Sequence, residues 1–153
     1  MTENRGARYE RIYEQLYGLI EGKSPDLIAA MATICAVLHA KMPHHLWTGF
    51  YRLAGDELHV GPYEGAVACQ VLRGGGVCLQ AVTTRSAVVV PDVAAFPGHI
   101  TCDGRARSEI AVPVVKNGRV MAVLDADSVD GAQFTDEDVA PLERILGLLT
   151  PYL

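Results

Sequence analysis

Apolar side chains fall at Ile12, Leu16, Leu19 and Ile20, the spacing of one face of a helix, and predict an amphipathic helix from about Ala7 to Glu21 that ends at Gly22. A second helix is expected from about Asp26 to Lys41. Ser24-Pro25-Asp26 is its start signal, since Ser can cap and Pro is tolerated at the first helical position. Its inward face would carry Leu27, Met31, Ile34, Cys35 and Leu38. From Leu46 the period changes. Leu46 to Leu53 reads as an aromatic-rich strand, Ala54-Gly55-Asp56 as a hairpin turn, and Glu57 to Val60 as the returning strand.

A long irregular region is expected next, with Pro62, Gly65 and the run Gly74-Gly75-Gly76, followed by a short helix from Val77 to near Arg85. Ala87 to Val90 reads as a short strand and Pro91 to Arg107 as a loop. Ile110–Val115 and Arg119–Asp125 form a hairpin across Lys116-Asn117-Gly118, where Asn-Gly is a strong short-range turn signal. Thr135 caps a C-terminal helix whose acidic first turn suits the helix dipole. This order predicts an α+β domain with an antiparallel sheet, helices packed on one face and a loop-covered pocket on the other. It comprises N-terminal helices over 7–42, sheet and loops over 45–128, and a helix over 135–150, all one domain spanning 1–153.

Composition narrows the possibilities. With 153 residues, half of them hydrophobic, the chain can bury a sizeable core. A net charge of −5 and scattered basic residues argue against a nucleic-acid surface. No segment is apolar for long enough to span a membrane, and Met1-Thr2-Glu3-Asn4-Arg5 is polar rather than signal-like, so a cytoplasmic protein is expected.

The chemistry centres on four cysteines. Cys35 lies on a helix stripe and reads as core. Cys69, Cys78 and Cys102 fall among Gly, Pro and polar residues, where an unused thiol would be a liability. Cys102 is the best nucleophile candidate. His99, Arg105 and Arg107 are nearby cations that could favour its thiolate, although His99 could equally cap the loop. Either Cys69 or Cys78 could reach Cys102 across the Gly-rich stretch and condense with a sulfenic acid there. Zinc held by Cys69, Cys78, His99 and Cys102 is disfavoured because the spacing lacks tight pairs, so no metal or cofactor is expected. Asp125 and Asp127 share one face of a strand, and Glu109 opens the partner strand, so three acids could converge. Crowding would keep one of them protonated near neutral pH. Trp47, Gly49 and Tyr51 share a face and read as a small aromatic pocket, with simple core packing as the alternative.

These pieces together resemble the free methionine-(R)-sulfoxide reductases, which are built on a GAF domain. The resemblance is carried by Trp47-Thr48-Gly49-Phe50-Tyr51, Gly61 through Cys69, Gly76-Val77-Cys78, Val90-Pro91-Asp92-Val93, Phe96 through Asp103, Arg107-Ser108-Glu109-Ile110 and Val123 through Ser128, in that order. It implies that Cys102 is the catalytic thiol, Cys69 the usual resolving thiol and Cys78 a second thiol of the relay. It further implies that Glu109, Asp125 and Asp127 bind the polar groups of free methionine-(R)-sulfoxide and protonate its oxygen. Trp47 and Tyr51 would enclose the methyl-sulfoxide end, thioredoxin would be the reductant, and a homodimer would fit, since many members of the family look like homodimers. Two departures bear on the relay: the stretch from Gln70 to Val77 is one residue shorter than usual, and Leu79 stands where Gly commonly follows the second cysteine. A GAF module that senses a small molecule without catalysis is the alternative reading.

Overall fold

Asn117 and Gly118 both take positive φ, 53° and 74°, the turn that closes a two-residue hairpin. The strands they join, β5 (Ser108–Lys116) and β6 (Arg119–Ser128), form the centre of the molecule. The structure is a computed structural model that describes residues 4–153, so the first three residues of the polar N-terminal stretch lie outside the described residues. A second hairpin, β1 (Trp47–Ala54) and β2 (Glu57–Glu64), lies alongside, β1 pairing antiparallel with β6. Short β3 (Val71–Leu72) and β4 (Val88–Val90) complete a six-stranded sheet in the order β3-β2-β1-β6-β5-β4, every pairing antiparallel.

Three helices cover one face: α1 (Arg5–Ile20), α2 (Leu27–Lys41) and α4 (Val139–Leu146). They bury Phe50, Ile110, Val112, Val114, Leu124 and their alternating neighbours in the larger core. α3 (Val77–Thr84) lies on the opposite face, among Trp47, Tyr51, Ala111 and Val123. The α+β domain with an antiparallel sheet is as expected, and the short helix expected from Val77 is α3, which joins the loops on the pocket face. α3 is short and apolar, and it closes the half of the pocket face that the loops leave open.

Other expectations change in detail. α1 starts at Arg5 because the Asn4 side chain accepts from Ala7 N at 2.7 Å. Its buried stripe is Tyr9, Ile12, Leu16 and Ile20, and Leu19 is exposed. α2 is capped by Asp26, which accepts from Ala29 N at 2.8 Å, rather than by Ser24. β2 runs on to Glu64 through Pro62, in a stretch read as irregular. The register of β1 and β2 shifts between Gly49 and Tyr51, and such an irregularity tolerates a residue with no N–H. β3 was not expected; two residues carry too little pattern to read. The C-terminal helix is α4 flanked by 3₁₀ turns at Asp136–Asp138 and Gly147–Tyr152. Thr135 caps as expected, and its partner Asp138 does more. Fully buried, Asp138 accepts from Thr135 N at 2.8 Å, from Tyr9 Oη at 2.7 Å and from Arg5 at 3.1 Å, tying both chain ends together. No described helix is long and apolar enough to cross a membrane.

Candidate active site

The site follows from strand alternation. On β6, Ala122, Leu124 and Ala126 belong to the larger core, so Val123, Asp125 and Asp127 face the other way. The register then places Glu109 of β5 opposite Asp127, and Trp47 and Gly49 of β1 opposite Asp127 and Asp125. The three acids and the aromatic residues expected to share a face are thus brought together on it. Tyr51 lies one pleat further along β1, against Val123.

Trp47 is the hub of the aromatic wall. Its indole stacks between Tyr51 and Tyr63, with ring centroids 5.8 and 5.3 Å away, and its Nε1 donates to Ala66 O at 3.1 Å. The indole folds over Gly49, where any Cβ would collide with it and with Tyr63, so only glycine fits. Tyr51 Oη donates to Cys69 O at 3.0 Å and so pins the backbone of the cysteine loop to the aromatic wall.

Cys69 and Cys102 form a disulfide with their Cα atoms 5.4 Å apart. The sulfur of Cys102 lies at the rim of a cavity of about 470 Å³, open mouth included, whose floor holds Glu109, Asp125 and Asp127 and whose wall holds Trp47 and Tyr51. Sequence reasoning missed Val67, Ala68 and Ala106, which also line the cavity, and Tyr63, which stacks behind it. Strict alternation from Leu58 and Val60 would turn Tyr63 away, and only the register shift of β2 against β1 brings it to Trp47; the others are loop residues with no periodic signature.

The cations expected near Cys102 are engaged elsewhere. Arg105 makes a two-pronged ion pair with Asp103, at 2.8 and 3.1 Å, and Arg107 donates to Gly104 O at 3.0 Å. His99 lines the cavity with its Nδ1 3.9 Å from Glu109 Oε2, and burial holds its pKa below the usual imidazole value.

Cys78 does not reach the disulfide. Gly74, Gly75 and Gly76 all take positive φ and turn the chain into α3, which buries Cys78 as a free thiol behind the acids. Burial and the neighbouring carboxylates push its pKa well up. Burial likewise pushes Glu109 and Asp127 well above the ordinary carboxylate range, with the charge of Asp125 adding to it. Asp125 is also raised by burial, but contact with Glu109 and Cys78 holds it back. Burial and mutual crowding thus favour the protonated form across the whole cluster. Such a site can present O–H donors, carboxyl oxygen acceptors and an oxidisable sulfur to a single small molecule. Cys35, by contrast, is buried in the helix-side core and donates to Pro62 O at 3.4 Å.

Residues 25–152 match the model of a family described as GAF domain. The chain is 36% identical over 151 residues to the free methionine-R-sulfoxide reductase of Escherichia coli, covering 94% of this chain and 91% of that one. It is 38% identical over 144 residues to GAF domain-containing protein A of Dictyostelium discoideum, covering 93% and 90%. Among solved structures, it superposes on the free methionine-R-sulfoxide reductase of Neisseria meningitidis in complex with its substrate with a TM-score of 0.93 and 36% identity, covering 99% and 92%.

Proposed function

The chain belongs to the GAF domain family and, within it, to the free methionine-R-sulfoxide reductases, and from that premise we propose that it reduces free L-methionine-(R)-sulfoxide to L-methionine. The observation that carries this reading is one cavity that joins the Cys102 sulfur, already paired with Cys69, to three crowded acids and an aromatic wall.

The proposed reaction runs as follows. Trp47 and Tyr51 enclose the apolar methyl-sulfoxide end, and the acid floor takes the polar groups, with its carboxyl oxygens suited to an ammonium. The Cys102 thiolate attacks the sulfoxide sulfur while Glu109 or Asp127, held protonated by burial, delivers a proton to the oxygen. The oxygen passes to Cys102 as a sulfenic acid, and the substrate sulfur is reduced to the thioether of methionine. The Cys69 thiol then attacks the sulfenic sulfur, forming the Cys69–Cys102 disulfide and expelling water. A dithiol protein such as thioredoxin exchanges with that disulfide, taking up the oxidation and restoring both thiols. Such recycling suits a cytoplasmic protein, since thiols there are kept reduced. Cys78 enters the relay only if its buried thiol emerges, so Cys69 is the resolving thiol of this proposal. The homodimer that the resemblance implies is a separate proposal, checked by light scattering.

The test is methionine release by the purified protein with thioredoxin supplied, on free R and S epimers beside a peptide-linked sulfoxide. Turnover of the free R epimer alone is expected. No release from any of the three overturns the reading and leaves a ligand-binding GAF module. In the same assay, a Cys69→Ser enzyme that still cycles normally with thioredoxin moves the resolving role to Cys78.

A further inference from the structure

Beneath the acid floor lies a donor set that the proposed reaction does not use as a set. Cys78 Sγ and one carboxylate oxygen from each of Glu109 and Asp125 all lie within 4.8 Å of one another. Glu109 and Asp125 stand on the same face of neighbouring strands β5 and β6, and Cys78 comes from α3, which covers that face. Each is nearly inaccessible, Cys78 at 3% and both acids at 5% exposure. Glu109 Oε2 and Asp125 Oδ1 have no hydrogen-bond partner among the described residues, although buried polar oxygens normally have one. A substrate in the cavity could reach those oxygens, but it offers nothing to a thiol behind them. A cation would use all three groups.

We propose that Cys78, Glu109 and Asp125 form a site for a thiophilic divalent cation of the zinc class, and that its occupation excludes the sulfoxide substrate. Two ligands of a tetrahedral zinc ion stand about 3.3–3.5 Å apart, given metal–ligand distances of about 2.0–2.3 Å. Small side-chain rotations would close the observed triangle to that size. The ion displaces the proton of the Cys78 thiol and those held by the two carboxyls, so protons leave as the divalent charge enters. His99, whose Nδ1 is 3.9 Å from Glu109 Oε2, is a candidate fourth ligand. A thiolate in the set selects against Mg²⁺ and Ca²⁺, which take oxygen ligands. Binding itself does not depend on the function proposed above; the exclusion of substrate rests on it.

The test uses the disulfide form, in which Cys69 and Cys102 cannot ligate and Cys35 and Cys78 are the only free thiols. Titration with Co²⁺ is expected to raise a thiolate-to-cobalt charge-transfer band at one ion per chain. Zn²⁺ should remove the band, and Mg²⁺ should not. Cys78→Ser and Glu109→Gln should each weaken binding by about tenfold or more, and Cys35→Ser should leave it unchanged. No band, or a band that survives Cys78→Ser, overturns the site. If Cys78→Ser fails to fold, Glu109→Gln, which keeps the shape of the side chain, decides in its place. Adding free methionine-(R)-sulfoxide to the cobalt-loaded protein should diminish the band. A band indifferent to substrate overturns the exclusion while the cation site stands. A protein that binds Co²⁺ yet turns over no sulfoxide fails only as a reductase.

Discussion

Along β6 the two faces of one strand carry opposite chemistry. Ala122, Leu124 and Ala126 pack under the helices, whereas Val123, Asp125 and Asp127, each one residue out of step with them, lie on the pocket side. Both faces are largely buried, and Val123 joins an apolar cluster, but only the pocket side also buries carboxyl groups. On the helix side, burial stabilises the fold at roughly 25 cal/mol per Å² of apolar surface. On the pocket side, burial opposes ionisation and keeps protons on Glu109 and Asp127. The helix-side core thus supports a floor that is poorly solvated and, left to itself, destabilising. Substitutions on the two faces should therefore separate activity from stability.

The largest effect is expected at the cavity rim. Cys102→Ser should lower turnover by about four orders of magnitude or more, while unfolding of the reduced protein shifts by no more than about 0.5 kcal/mol, the usual limit for an exposed position. Substantial residual turnover would sink the assignment of Cys102. Next, Glu109→Gln should lower kcat by about 10²-fold or more, the usual contribution of a general acid. Its stability should stay level or rise, because an amide is cheaper to bury than an ionisable acid. A Glu109→Gln protein that unfolds more readily than wild type would contradict the contrast between the faces. In the opposite direction, Leu124→Ala removes a side chain only 2% exposed from the helix-side core. It should cost about 2–5 kcal/mol in denaturant unfolding yet leave turnover per folded molecule within about twofold.

The smallest effect is in pH. The folded-state pKa values of Glu109, Asp125 and Asp127 are all raised, so the folded chain holds protons that the unfolded chain releases. The stability this contributes is fully present below the ordinary carboxylate range, near pH 4, and is lost as pH rises through the raised values. The slope is at most about 1.4 kcal/mol per pH unit for each proton retained. Glu109→Gln should flatten it, and denaturant midpoints measured from pH 4 upward would show whether it does. A slope unchanged in Glu109→Gln would show that the excess protons reside elsewhere.

Much of the domain was legible in its local patterns. The Asn117-Gly118 turn, the Thr135 cap, the aromatic strand and the two N-terminal helices all lie close to where periodicity and turn chemistry place them. Period-two alternation put Asp125 with Asp127, and Trp47 with Gly49 and Tyr51, on single faces, because the pleat leaves no other arrangement. What local pattern could not supply was partnership between segments. The sulfurs of Cys69 and Cys102, 33 residues apart, meet because Tyr51 pins the Cys69 backbone beside the cavity, a contact that no spacing rule encodes. The glycine run suggested a mobile link that would let Cys78 reach Cys102. Three successive positive φ angles instead turn Cys78 inward on α3, beside Asp125.

The sequence by itself determined which residue types share a strand face, where helices and turns begin and which family the motifs resemble, because these follow from backbone geometry over a few residues. Only the tertiary structure decided the register that sets Glu109 opposite Asp127 and the closure that pairs Cys69 with Cys102. It also decided the burial that sets the free thiol of Cys78 beside the acids. Desolvation and cross-strand contact depend on every layer packed around a group, and no window of sequence contains that information.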